Sequence, residues 1–121
     1  MNGSRNMERI LRLMAEKRAS DVFLSANMPV LIKIHGQILQ LTQEPLGPNQ
    51  PRQLLAEVLA ATQIEELDET GELNVGVPIA GLGTFRLSAF KQRGTLAGVF
   101  RFMPTEIPAL ETLSLPDVLE I

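Results

Sequence analysis

Gly83-Thr84-Phe85-Arg86-Leu87-Ser88-Ala89-Phe90-Lys91-Gln92-Arg93, with the return leg Gly94 to Met103, sets the architecture expected of this chain. Phe85, Leu87 and Ala89 alternate with Arg86, Ser88 and Phe90, the two-residue period of a strand with unequal faces. On the way back Leu96, Phe100 and Phe102 alternate with Ala97, Val99 and Arg101, so the two legs read as one long hairpin. No acidic residue occurs from Leu73 to Thr105, whereas Arg86, Lys91, Arg93 and Arg101 all do. Cations with no neighbour in sequence to neutralise them must face water, a carboxylate from elsewhere in the chain, or an anionic partner. A solvated strand face is the plainest of these three.

The length, 121 residues, suits one domain with a single core and is short for an enzyme with two substrates. A hydrophobic share of 45% with net charge −3 is ordinary for a globular chain. The mild acidity argues against a nucleic-acid binder, which carries a domain-wide basic excess. Four of the five aromatic residues, all phenylalanine, lie between 85 and 102, where a small core needs them more than a base-stacking platform does. Cysteine is absent, so no disulfide framework or thiol chemistry is available. No apolar run approaches a membrane span, and Glu8, Arg9, Arg12, Glu16 and Lys17 interrupt any signal-peptide core. A cytoplasmic location is the expectation.

Outward from the hairpin, Met7, Ile10, Leu11, Met14 and Ala15 have the spacing of an amphipathic helix, with Asn6 as the expected N-cap and Lys17 and Arg18 in the last turn. Asp21 to Ser25 reads as a short strand. Val30 to Ile34, the turn His35-Gly36 and Gln37 to Leu41 form a β-hairpin, and the sole histidine is explained by that turn rather than by metal binding. A second helix carries Leu54, Leu55, Val58 and Leu59, and Thr62 with Glu65 forms a capping box for a third. Glu65, Glu66, Asp68, Glu69 and Glu72 make an acidic patch, read first as a solvated surface and second as an intersubunit or interdomain partner for the basic hairpin. Leu73 to Ile79 is a strand whose Pro78 suits an edge.

The order α-β-β-β-α-α-β-β-β with hairpin connections predicts an α+β fold, a largely antiparallel sheet covered by helices. Residues 1–104 are expected to form this domain, and 105–121 a linker ending in a helix start at Ser114-Leu115-Pro116-Asp117. With a helix specified so close to the last residue, the expectation is a piece of a longer polypeptide.

No catalytic motif is complete. Gly81-x-Gly83 lacks the third glycine of a dinucleotide fingerprint, and no glycine precedes a lysine as a P-loop requires. The serines have no nucleophile elbow and the acidic cluster has no enclosing pocket. What remains is a rigid strand pair carrying arginines, whose planar forks of donors suit phosphate oxygens. Arg86 and Arg101 stand on opposite legs and converge on one anion only if the register brings them together.

Leu11 to Lys17 leading to Ser20-Asp21-Val22-Phe23-Leu24, Pro29 to Gly36, Phe85 to Arg93 and Val99-Phe100-Arg101 together resemble the N-terminal domain of the type IV pilus twitching-motility (retraction) ATPases, the PilT/PilU family of the secretion-ATPase superfamily. Leu-Arg-Leu-Met-x-Glu-Lys and Ser-Ala-Phe-x-Gln-Arg are closer to the PilU branch. The likeness runs from Met7 to Ile121. Two places depart from the family pattern: Arg18-Ala19 replaces a glycine-bearing pair before Ser20-Asp21, and Leu73 to Val77 replaces a strand opened by an acidic residue and aromatics.

The resemblance implies a PAS-like domain, followed by a RecA-like motor domain absent here, in a hexameric cytoplasmic ATPase peripheral to the inner membrane. ATP and Mg²⁺ would serve the full-length protein, with neither bound tightly by this piece and no hydrolysis by it alone. The implied partners are its own C-terminal RecA-like domain, neighbouring subunits of the homohexamer, the pilus inner-membrane machinery and a paralogous retraction ATPase. By motif position, Arg86 and Arg101 inherit the phosphate contacts, while Lys91 and Arg93 match less tightly and are secondary candidates for phosphate or for an interface alone. Two alternatives stand beside this: a purely structural oligomerisation or docking module, and a small-ligand sensor, which would need an apolar cavity that the compact aliphatic complement gives no reason to expect.

Overall fold

In strand Gly83–Gln92 the residues Phe85, Leu87 and Ala89 are buried, while Arg86, Ser88 and Phe90 are exposed, as the period of two requires. The computed structural model describes residues 6–103; the expected linker and the helix start at Ser114 lie outside the described residues. Helices α1 (Asn6–Glu16), α2 (Gln50–Ala56) and α3 (Ala61–Thr70) accompany strands β1 (Asp21–Leu24), β2 (Leu31–Ile34), β3 (Gln37–Gln40), β4 (Glu72–Ile79), β5 (Gly83–Gln92) and β6 (Thr95–Met103). Their order is α-β-β-β-α-α-β-β-β, and the fold is α+β.

The strands form one antiparallel sheet in the order β3-β2-β1-β6-β5-β4. Two tight turns set the register of its hairpins. His35-Gly36 and Arg93-Gly94 each place two consecutive residues at positive φ, the conformation that matches the twist of flanking antiparallel strands. Strands β1 and β6, from opposite ends of the described chain, meet at the centre of the sheet.

One face of the sheet supplies Val22, Ile32, Leu73, Phe85, Leu87 and Phe100 to the core, and the helices cover it with Met7, Leu11, Met14, Leu54, Leu55 and Leu67. Helix α2 packs so closely that a Cβ on Gly98 would lie 3.2 Å from Leu87 Cδ1 and 3.6 Å from Leu55 Cδ2. Phe85 and Phe102 pack with ring centroids 4.7 Å apart and planes tilted by 37°. The opposite face carries no helix among the described residues.

The helix ends differ from the sequence expectation in instructive ways. Asn6 lies inside α1, and the Met7 N–H donates instead to Glu57 Oε1 at 2.7 Å, so a side chain fifty residues away satisfies the first turn. Helix α3 starts before Thr62; the Gln63 side chain accepts the Ala60 N–H at 2.9 Å, in place of the expected Thr62–Glu65 box. Lys17 and Arg18 lie beyond the end of α1 at Glu16. Arg18 takes φ 56, and the Ala19 N–H returns to Met14 O at 2.9 Å, a Schellman closure that favours glycine at the position Arg18 occupies. The departure from a glycine-bearing pair therefore leaves an arginine in a left-handed conformation. Arg18→Gly is expected to raise stability by about 1 kcal/mol, read as a higher urea midpoint.

Arg52 of α2 grips Asp68 of α3 through its two terminal guanidinium nitrogens, with Nη1 to Oδ2 at 3.1 Å. The hydrogen bond from Arg52 holds the Asp68 carboxyl below the ordinary carboxylate range, so one member of the expected acidic patch is already paired inside the domain. A depressed folded value means the pair contributes above the unfolded carboxyl pKa of about 3.9 and is lost as pH falls through the folded value. The gap in urea midpoint between wild type and Asp68→Asn is therefore expected to be open at neutral pH and to close in acid. Both side chains are more than one-third exposed, which keeps the effect small.

Candidate functional site

The register places Arg86 directly opposite Arg101 on the helix-free face. Residues directly opposed in an antiparallel pair stand about 4.5–5.5 Å apart, and like charges so placed repel. Both arginines are exposed, and Arg86 makes no ion pair among the described residues. The row continues across the sheet: Arg101 faces Asp21 of β1, and Asp21 faces Lys33 of β2. Four adjacent strands thus present Lys33, Asp21, Arg101 and Arg86 side by side.

Asp21 is buried, with a relative exposure of 7%, and its carboxylate is shared between two donors. The Ser20 hydroxyl donates to Oδ1 at 2.6 Å, and Arg101 Nη2 approaches Oδ2 at 3.4 Å. The Arg101 side chain remains 68% exposed, so this contact occupies one edge of the guanidinium and leaves the rest to solvent. Next to the charged row runs an apolar one, Leu31, Phe23 and Val99, and the exposed Phe90 faces Ala97.

The secondary candidates lie elsewhere. Lys91 is five residues from Arg86 along β5, roughly 17 Å of extended chain. Its Nζ donates to the Asp68 backbone carbonyl at 3.1 Å, where the last turn of α3 offers free carbonyls to a cation. Arg93 sits in the β5–β6 turn. The hairpin cations therefore divide into a facing pair and two residues near the other end. Sequence reasoning missed Lys33 and the place of Asp21 in the row. Ser20-Asp21 was visible as a motif, but its approach to Arg101 spans 80 residues and no local pattern encodes it.

Elsewhere the surface offers less. Among the described residues no three histidine or carboxylate groups converge to hold a metal ion. A groove of about 280 Å³ lies between α1, the 41–46 segment and α2, with Ile10, Leu13, Val30, Leu41, Leu46 and Leu54 in its walls. The expectation of no apolar hollow is corrected to that extent: short α2 and the loop before it do not fully cover the flank of α1. No helix among the described residues is long and apolar enough to cross a membrane.

An α+β domain with a six-stranded antiparallel sheet, three helices on one face and arginines on the other has the fold of the N-terminal domain of pilus motor ATPases. The chain is homologous to PilU and PilT and corresponds to the N-terminal domain of that type IV pilus ATPase family. The type IV pilus ATPase PilU of Pseudomonas aeruginosa is 40% identical over 113 residues, which cover 93% of this chain and 30% of PilU. The retraction ATPase PilT of the same organism is 28% identical over 109 residues, covering 90% of this chain and 32% of PilT. A crystal structure of the pilus retraction motor PilT with bound ADP matches with a TM-score of 0.77 at 34% identity, over 93% of this chain and 33% of that one. The chain thus spans about a third of the length of these relatives. No protein-family model matches it.

Proposed function

We propose that this chain is the N-terminal domain of a hexameric pilus-retraction ATPase, in which Arg86 and Arg101 reach the phosphates of ATP bound by a motor domain and couple neighbouring subunits. The observation that carries this is the placement of two guanidinium groups directly opposite each other on a bare sheet face. Their mutual repulsion falls when an anion sits between them, and two planar forks on a stiff ribbon can hold phosphate oxygens from two sides. ATP, with its Mg²⁺, supplies the transferable phosphoryl group. The arginines supply positive charge where charge spreads over the equatorial oxygens, the role of an arginine finger. A guanidinium keeps its charge throughout the physiological pH range, so the pair stabilises charge and does not itself move a proton.

In this reading the ring lies on the cytoplasmic side, peripheral to the inner membrane, and its partners are the motor domain, neighbouring subunits, the pilus machinery of that membrane and a paralogous retraction ATPase. Mg²⁺ belongs with the motor domain. The Asp21–Arg101 contact favours a second reading, in which this face is only a docking surface organising the ring. A structure of the full-length ring with a non-hydrolysable ATP analogue separates the two. Guanidinium nitrogens of Arg86 and Arg101 within hydrogen-bonding distance of the terminal phosphate support the first reading; both side chains turned away from every phosphate overturn it.

A further inference from the structure

Asp21 is a buried carboxylate in the sheet's charged row, and the phosphate-contact reading leaves it without a task. Its two oxygens are not equivalent. Oδ1 accepts the Ser20 hydroxyl at 2.6 Å, while Oδ2 is turned to Arg101 Nη2 at 3.4 Å. The Asp21 side chain is only 10% exposed, whereas that of Arg101 is 68% exposed. One end of the pair is therefore fixed in the sheet and the other projects from it. Arg86, facing Arg101 from β5, has no comparable carboxylate among the described residues.

Two facing guanidinium groups on long side chains repel and swing apart unless something restrains one of them. A carboxylate anchored on one oxygen can restrain a neighbouring arginine by a single edge, leaving most of its five N–H donors free. At 3.4 Å and with its arginine end 68% exposed to screening water, the contact adds little to stability, so its effect lies in orientation.

We propose that Asp21 is a positioning residue for Arg101: it holds one edge of the guanidinium so that the group stands beside Arg86 on the open face and both can flank one terminal phosphate. The proposal rests on the phosphate-contact reading above and adds to it the residue that prepares the site. Ser20 belongs to the same device, because its hydroxyl keeps the carboxylate from turning.

Two measurements test it. In the 121-residue chain, the guanidinium Nε–Hε resonances of Arg86 and Arg101 are followed by NMR in wild type and Asp21→Asn, with and without inorganic triphosphate. The expected result is a restrained Arg101 in wild type and a mobile one in the variant, with triphosphate shifting both arginines together only in wild type. An Arg101 signal that is the same in both proteins overturns the positioning role alone. In the full-length protein, Asp21→Asn is expected to lower kcat roughly tenfold to a hundredfold with KM for ATP nearly unchanged. It is expected to cause no further loss in an Arg101→Ala background, since it acts through that side chain. A further loss there overturns the proposal, as does wild-type turnover in Arg101→Ala alone; wild-type turnover in both Arg86→Ala and Arg101→Ala overturns the phosphate-contact reading itself. Asp21→Glu is expected to recover part of the rate. Should Asp21→Asn fail to fold, Ser20→Ala, which frees only Oδ1, is expected to move Arg101 and kcat in the same direction by less.

Discussion

Arg86→Ala in the full-length protein is expected to lower ATP turnover by about a thousandfold, and Arg101→Ala by a similar factor. The size follows from what the pair is placed to do. A guanidinium that meets the transferring phosphoryl group acts where charge is redistributing, in a site from which water is largely excluded, and its loss falls on kcat. The double variant is expected to be little worse than either single one, because both groups would serve one phosphate. Arg86→Lys keeps the charge and loses the planar fork, so partial recovery is expected. Turnover should be measured on material shown to be assembled, since a ring that has fallen apart also loses activity. Wild-type turnover in both single variants would remove the finger role and leave the docking reading.

Phe100→Ala is expected to destabilise the 121-residue chain by about 3–5 kcal/mol, read by urea denaturation. Phe100 is fully buried in β6 and lies between Val22 of β1 and Leu87 of β5. Truncation there removes a ring from the seam between the sheet's two halves, and α2 has little room to move in, because its Leu55 already packs so close to Gly98 that an added Cβ would lie 3.6 Å away. For a domain of this size such a loss approaches half of a typical total stability. Phe90→Ala makes the comparison informative. Phe90 is 38% exposed on the open face, and its loss is expected to cost less than about 1 kcal/mol. Equal destabilisation by the two substitutions would show that burial in this seam does not set the stability of the sheet.

Much of the fold was legible because its signals are local. The alternation in Phe85 to Phe90, the turn pairs His35-Gly36 and Arg93-Gly94, and the spacing of Met7, Leu11 and Met14 each speak within a few residues. The strand order was not legible in the same way. Nothing near Asp21 announces that β1 pairs with β6, since the partners are 80 residues apart and each strand would alternate equally well beside another neighbour. The helix ends misled for the same reason: Glu57 caps α1 from across the fold, a relation absent from the sequence around Asn6. For the site, the acid-free stretch singled out Arg86 and Arg101 but also promoted Lys91, which the fold directs to a carbonyl of α3. Charge along a sequence says which residues lack partners nearby; only register says which of them stand together.

The meeting of β1 with β6 at the middle of the sheet bears on how this chain acquires its shape during synthesis. The first three strands leave the ribosome early and pair with one another, but the outer edge of β1 has no neighbour until the last described strand emerges and slots between it and the β4–β5 pair. Until then β1 shows an unsatisfied backbone margin to solvent, and so does β5. Closure of the sheet is thus a late event, the pairing of β1 with β6 joining residues 80 positions apart.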